Sequence, residues 1–222
     1  MIEARPTGTW IKICGMTTPE AVDAALAARV DAIGFVFSPS PRQLTPEAAV
    51  RLAGPARGRT LCVAVTRHPD QALLDEILAR FAPDLWQSDR EDVAALRAPA
   101  SLSVLPVLRS GAPTGRSSSR SAALPPRLLY EGPVSGAGEV CDWSSARELA
   151  RRTELILAGG LDAGSVGAAI AAVEPFGVDV SSGVESQLGI KSAEKIKRFA
   201  EAARASFGAP RRARVLKQEN LR

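Results

Sequence analysis

The feature that most constrains this chain is an alternation. Within 222 residues, eight short apolar runs recur, each handing over to a loop and then to a helix or helix-like segment. The runs at 10–13, 32–37, 60–65, 85–87, 102–108, 127–130, 155–157 and 178–180 read as strands. The second, Ala-Ile-Gly-Phe-Val-Phe, is continuously apolar, as expected of a parallel strand buried on both faces. Between the runs, residues 19–29, 69–81, 163–173 and 191–206 carry apolar residues at helical spacing. Thr17 or Thr18 with Pro19-Glu20, and Thr45-Pro46-Glu47, each set a capping hydroxyl, a first-turn proline and an acid at the positive end of a helix. The rhythm breaks at 110–126, where Gly, Ser and Pro dominate and no helical stripe is present. Eight strand–helix units close naturally into one parallel (β/α)8 TIM barrel, for which about 200–250 residues is an ordinary size. A doubly wound open sheet would want Gly-x-Gly-x-x-Gly after an early strand, and Cys14-Gly15-Met16 is not that. The expected organisation is an α/β barrel over 1–207 with an irregular segment in place of helix 5, then a basic, flexible tail over 208–222.

Composition narrows the setting. Hydrophobic residues make up 45% and charged residues 23%, ordinary for a soluble globular protein. No run of about 18 apolar residues exists, so no membrane helix is expected. No basic-then-apolar N-terminal segment marks a secretory signal. Three cysteines without paired spacing argue for free thiols in a reducing, cytoplasmic setting. One histidine and no Cys-x-x-Cys leave no zinc motif, and no cofactor is expected. The net charge of +4 does not signal nucleic acid. The tail alone holds Arg211, Arg212, Arg214, Lys217 and Arg222 against Glu219, leaving the body close to neutral. Whether the chain is a monomer or a homodimer is not legible here.

The chemistry-bearing residues fall at strand ends, where barrels of this kind keep their catalytic groups. Cys14 ends the first strand, with Lys12 as that strand's one charge and Gly15 opening a turn. Arg42 follows the stiff Pro39-Ser40-Pro41 approach; its guanidinium either grips a carboxylate or is a solvated loop charge. Asp142 is either a helix N-cap, or a general acid whose pKa is raised by the neighbouring Trp143. Gly159-Gly160 and Ser181-Ser182-Gly183 lie after the seventh and eighth strands. There, backbone amides and hydroxyls can hold a phosphate, or the glycines merely turn the chain. Cys62, inside a strand, reads as core, and His68 as a polar loop residue.

Four segments carry a resemblance: Lys12-Ile13-Cys14-Gly15-Met16-Thr17, the Phe35-to-Glu47 run FVFSPSPRQLTPE, ILAGGL from Ile156, and GVDVSSGVES from Gly177. Together they resemble the phosphoribosylanthranilate isomerases of tryptophan biosynthesis, over about residues 10–205. The resemblance implies a cofactor-free Amadori rearrangement of a small sugar phosphate. The aspartate matching Asp142 would protonate the furanose oxygen, and the cysteine matching Cys14 would remove the C2 proton. The arginine matching Arg42 would bind the anthranilate carboxylate. Gly159, Gly160, Ser181, Ser182 and Gly183 would hold the phosphate, with Asp179 of the same motif also contacting substrate. No nucleic-acid or membrane partner follows from it.

Several positions depart from the family pattern. Leu85-Trp86-Gln87-Ser88-Asp89 stands where Gln-Leu-His-Gly is usual, Tyr130 replaces an aspartate at the end of strand six, and Cys141 replaces an aromatic residue. Thr66-Arg67-His68 is also atypical after strand three. Two rivals are a histidine-pathway isomerase with two phosphate sites, and a non-catalytic barrel. The first expects an aspartate where Cys14 stands, and the second has no need for an acid and a base together.

Overall fold

The computed structural model describes residues 9–111, 124–133 and 141–208. Eight parallel strands close into a barrel in sequence order. They are β1 Trp10–Cys14, β2 Ala32–Val36, β3 Leu61–Val65, β4 Leu85–Asp89, β5 Ser103–Arg109, β6 Arg127–Glu131, β7 Glu154–Leu157 and β8 Gly177–Val180. Helices follow as α1 Pro19–Ala27, α2 Pro46–Ala53, α3 Gln71–Arg80, α4 Arg90–Ala95, α5 Trp143–Ala150, α6 Val166–Val173 and α7 Ala193–Gly208. The expected barrel is therefore present. The irregular stretch expected in place of helix 5 falls largely on 112–123, the glycine-rich approach to Asp142 on 134–140 and the tail on 209–222, all outside the described residues. No helix among the described residues is long and apolar enough to cross a membrane.

The predicted caps form as the sequence dictates. Thr18 accepts from the Ala21 amide and Thr45 from the Ala48 amide, each with proline in the first turn. Asp70 does the same for α3 by accepting from Leu73. These contacts satisfy amides that a helix start leaves without partners.

Strand alternation sorts side chains into two cores. Trp10, Ala32, Val63, Leu85, Leu105, Val107, Leu129 and Ile156 fill the barrel interior. Residues of opposite parity, such as Ile11, Ile13, Ile33, Phe35, Cys62, Leu128 and Leu155, pack outward against the helices. Cys62 is thus the core residue it was expected to be, with burial pushing its thiol up to about 11. Stepping two residues along each strand from the interior layer places Lys12, Cys14, Gln87, Asp89, Arg109, Glu131 and Asp179 at the C-terminal mouth. The seam between first and last strands pairs Lys12 with Asp179 in register.

Two short strands that the sequence reading did not separate complete the mouth. After β8, a 3-10 turn at Ser182–Val184 leads into an antiparallel hairpin of β9 Glu185–Gln187 and β10 Ile190–Lys191. Lys191, expected to open the closing helix, belongs to β10, and α7 begins at Ala193.

Phe81 anchors the outer layer. Its ring lies 5.2 Å from Phe35 and 5.3 Å from Phe37, under the Arg57 guanidinium at 4.6 Å. Phe81→Ala is expected to cost about 3–5 kcal/mol in urea unfolding, since the removed ring leaves a cavity among fixed neighbours.

Candidate active site

Cys14 is buried at the end of β1, facing into the barrel. Two residues below it, Lys12 is fully buried and its Nζ lies 3.0 Å from Asp179 Oδ1. Burial alone would discharge an ammonium, but Asp179 and Cys14 outweigh it and hold Lys12 protonated, its pKa above the ordinary lysine value. Burial pushes the Cys14 thiol up; Lys12 pulls it down, Asp179 pushes it up again, and Lys191 pulls it down. The thiol thus titrates above its ordinary value, with positive charge standing beside it. Asp179, expected to contact substrate, is here the counter-ion of Lys12.

Arg42 sits beside this group, because its side chain lies across Gly15: a Cβ there would come 2.5 Å from Arg42 Cδ. It is not the solvated loop charge that was one of its two readings, being only 6% exposed. Its Nε donates to Glu185 Oε1 at 2.6 Å and its Nη2 to Glu185 Oε2 at 2.9 Å. One edge of the fork, Nε with Nη2, is therefore taken by a protein carboxylate. Glu185, on β9, was not singled out in the sequence. It is buried, and hydrogen bonds from Arg42 and Lys191 hold its carboxyl down to about 2. Lys191 Nζ donates to Glu185 Oε1 at 2.8 Å, to the Ser181 carbonyl at 3.0 Å and to Ser181 Oγ at 3.2 Å. Ser181 Oγ in turn donates to the Cys14 carbonyl at 3.1 Å. The hydroxyl expected to serve a phosphate thus already bridges Lys191 and the backbone of Cys14.

The two glycine loops lie against each other. A Cβ on Gly183 would stand 1.9 Å from the Leu161 carbonyl oxygen, so only glycine allows this approach. Gly159 and Gly160 both take left-handed backbone conformations, with φ of 92° and 64°. Ser182 and Gly183 open the 3-10 turn, whose first amides have no partner within the turn.

Asp142 departs from one of its two readings. It is exposed and caps α5, accepting from the Ser144 amide at 2.9 Å, Ser144 Oγ at 2.6 Å and Ser145 Oγ at 2.5 Å. These donors favour the ionised form and hold the carboxyl down to about 2. Trp143 does not shield it, because the indole packs against the barrel–helix core. Tyr130 faces outward, toward the α5 side. The inward residue that ends β6 is Glu131, so a carboxylate does stand at that strand end.

The far side of the mouth holds a second charge network. Arg109 Nη2 donates to Asp89 Oδ1 at 2.6 Å, and its Nη1 to Glu131. Asp92 accepts from Ser88 Oγ at 2.7 Å and from the His68 amide at 2.9 Å, with His68 Nδ1 at 3.1 Å. His68, Asp89 and Asp92 bring ligand-type atoms within 4.8 Å of one another, but both carboxylates already have these protein partners. The residues that depart from the family pattern after strands three and four therefore form one connected group. Buried charges on this side are predominantly acidic, and those around Cys14 predominantly basic.

With this geometry in place, comparison with known proteins is decisive. The sequence profile of N-(5'-phosphoribosyl)anthranilate (PRA) isomerase matches residues 11–202. The chain belongs to that family. An N-(5'-phosphoribosyl)anthranilate isomerase of Azorhizobium caulinodans is 40% identical, covering 94% of this chain and 97% of that one. The phosphoribosyl anthranilate isomerase structure from Thermus thermophilus superposes with a TM-score of 0.73 at 26% identity, over 88% of this chain and 98% of that one. A further phosphoribosyl anthranilate isomerase was solved in complex with reduced 1-(o-carboxyphenylamino)-1-deoxyribulose 5-phosphate. It matches with a TM-score of 0.68 at 25% identity, over 89% of this chain and 99% of that one. Membership makes this chain an isomerase and removes the rival non-catalytic barrel.

The free-state cap gives a direct expectation. A carbon-detected NMR titration should place the Asp142 carboxyl near 2, below the ordinary value of about 3.9. Its contribution to stability is therefore complete above the ordinary value and lost as pH falls toward 2. Ser145→Ala should move that midpoint up toward the ordinary value.

Proposed function

We propose that this chain catalyses the Amadori rearrangement of N-(5-phosphoribosyl)anthranilate to 1-(2-carboxyphenylamino)-1-deoxyribulose 5-phosphate, a step of tryptophan biosynthesis. The observation that carries the reading is the meeting of a buried thiol and a buried guanidinium at one barrel mouth. Cys14 points into the barrel, and Arg42 lies across the adjacent Gly15. Family membership supplies the reaction, and these residues supply groups suited to it.

In the proposed sequence, Asp142 takes a proton from solvent once its serine donors are released and gives it to the furanose ring oxygen. The C1–O bond breaks, and the anthranilate nitrogen lone pair closes a protonated C1=N bond. The Cys14 thiolate then takes the C2 proton. Those C–H electrons form C1=C2, and the C1=N electrons return to nitrogen to give an enolamine. Proton transfer from the C2 hydroxyl side to C1 yields the ketone. Protons move but no net oxidation occurs, so the reaction asks for no redox partner. The Nη1 side of Arg42 would take the anthranilate carboxylate, with Gly159, Gly160, Ser182 and Gly183 presenting amides to the phosphate. Asp179 holds Lys12 beside the thiol, and its place in the Gly177-to-Ser186 motif keeps it among the proposed substrate contacts.

The acid step sets a condition. A carboxylate held by two hydroxyls and an amide is a poor proton donor, so Asp142 must give up hydrogen bonds from Ser144 and Ser145 when substrate binds. Losing those donors raises its proton affinity at the moment protonation is required.

A turnover assay on phosphoribosylanthranilate generated in situ, followed by loss of its fluorescence, tests the assignment. Wild type should turn over, while Cys14→Ala and Asp142→Asn should each lose about 10²-fold or more in kcat. Full activity in Cys14→Ala would move the base elsewhere. Arg42→Lys should raise KM more than it lowers kcat, because an ammonium cannot hold Glu185 and a second carboxylate on two planar edges.

A further inference from the structure

The base proposed for the isomerisation is surrounded by an unequal count of buried charges. Lys12 on β1, Arg42 after β2 and Lys191 on β10 are cationic; Asp179 on β8 and Glu185 on β9 are anionic, and all five are buried. Lys12 is matched by Asp179 at 3.0 Å. Glu185 is shared between Arg42 at 2.6 Å and Lys191 at 2.8 Å, so among the described residues one positive charge of these three has no counter-ion of its own. Lys191 also anchors the loop beneath the thiol: its Nζ holds both Ser181 oxygens, and Ser181 Oγ holds the Cys14 carbonyl.

We propose that Lys191 is a positioning residue for this reaction, acting through Cys14. Its ammonium carries the surplus positive charge of the mouth, and the Cys14 thiolate is the anion that balances it. Loss of the thiol proton turns a buried group of net positive charge into a neutral one, so the charge imbalance favours the basic form of the cysteine. Lys12 is the stronger of the two cations on the thiol, Asp179 opposes the thiolate, and Lys191 adds its charge to that of Lys12. The charged groups that act on the thiol are Lys12, Asp179 and Lys191, and Lys191 is the one among them bonded to the Ser181 loop. Its three contacts to Glu185 and Ser181 fix the ammonium in place, so the charge is already oriented before substrate arrives.

The proposal rests on Cys14 being the base, and the test separates the two. Iodoacetamide reacts with thiolates, so the pH midpoint of Cys14 alkylation, read by peptide mass in the full-length protein, reports the thiol without any turnover. Cys62 and Cys141, both pushed up to about 11 by burial, are resolved on other peptides. Lys191→Met should raise the Cys14 midpoint by about one pH unit, and kcat near neutral pH should fall about tenfold and recover at higher pH. Lys191→Arg keeps the charge and should restore both. Glu185→Gln leaves the Lys191 ammonium without its carboxylate partner, so through Lys191 it should move the midpoint the opposite way, which keeps the test available should Lys191→Met fail to fold. An unmoved midpoint in folded Lys191→Met, or an upward shift in Glu185→Gln, overturns the role of Lys191. Activity surviving in Cys14→Ala would instead overturn the base assignment, whatever the alkylation midpoints show.

Discussion

The mouth of this barrel depends on the ion pair between Lys12 and Asp179. The two residues sit in register on the first and last strands, at the seam where the sheet closes on itself. Removing either partner leaves a charge buried inside a barrel, a situation that costs several kcal/mol in measured cases. Closure and charge pairing therefore require each other: the strands must meet for the charges to meet. The same pair fixes the electrostatics of the neighbouring thiol, since its cation favours the thiolate while its anion and the dry interior oppose it. The hairpin beyond β8 adds Lys191 and Glu185 to this foundation.

Much of this was readable in the sequence, and the gaps have physical causes. Continuous apolar runs separated by capped helices specify a parallel barrel, because only strands covered on both faces look that way. Cys14 and the two glycine loops were legible because each ends or directly follows a strand, and Arg42 because a stiff proline approach precedes it on the loop after β2. Lys191 was misread because a lysine ahead of an amphipathic helix looks like its solvated first turn. The signal was present in Glu-Ser-Gln-Leu-Gly-Ile-Lys, whose Gly189 takes a left-handed conformation and reverses the chain. Tyr130 illustrates parity: a one-residue step along a strand exchanges inside for outside, and Glu131 is the residue that faces in. Arg109 and Asp89 carried no motif, and only closure of the barrel brings them together.

Asp142 shows one carboxylate under two demands. As a helix cap it is best ionised and surrounded by donors, and in the free state it is. As an acid it needs the reverse. Of the two readings taken from the sequence, the structure bears out the N-cap and not the carboxyl raised by Trp143, so the acid role stands on the proposal alone. The burial of Trp143 against the outer core anchors the first turn of α5, so release of the serine hydroxyls would not require the helix to unwind.

The two charge networks of the mouth are opposite in sign. Among the described residues, Lys12, Arg42 and Lys191 stand with Asp179 and Glu185 on the β8–β1–β2 side, while Asp89, Asp92 and Glu131 stand with Arg109 and Arg67 on the β4–β6 side. Across a low-dielectric opening such a separation amounts to a standing dipole lying in the plane of the mouth. A molecule with anionic groups would meet attraction on one side of the described rim and repulsion on the other, which would turn it as well as draw it in. Salt shortens the reach of that torque to about 10 Å at 0.1 M ionic strength. Orientation at the entrance is then a property of the whole rim of the barrel, written in side chains that never meet the reacting atoms.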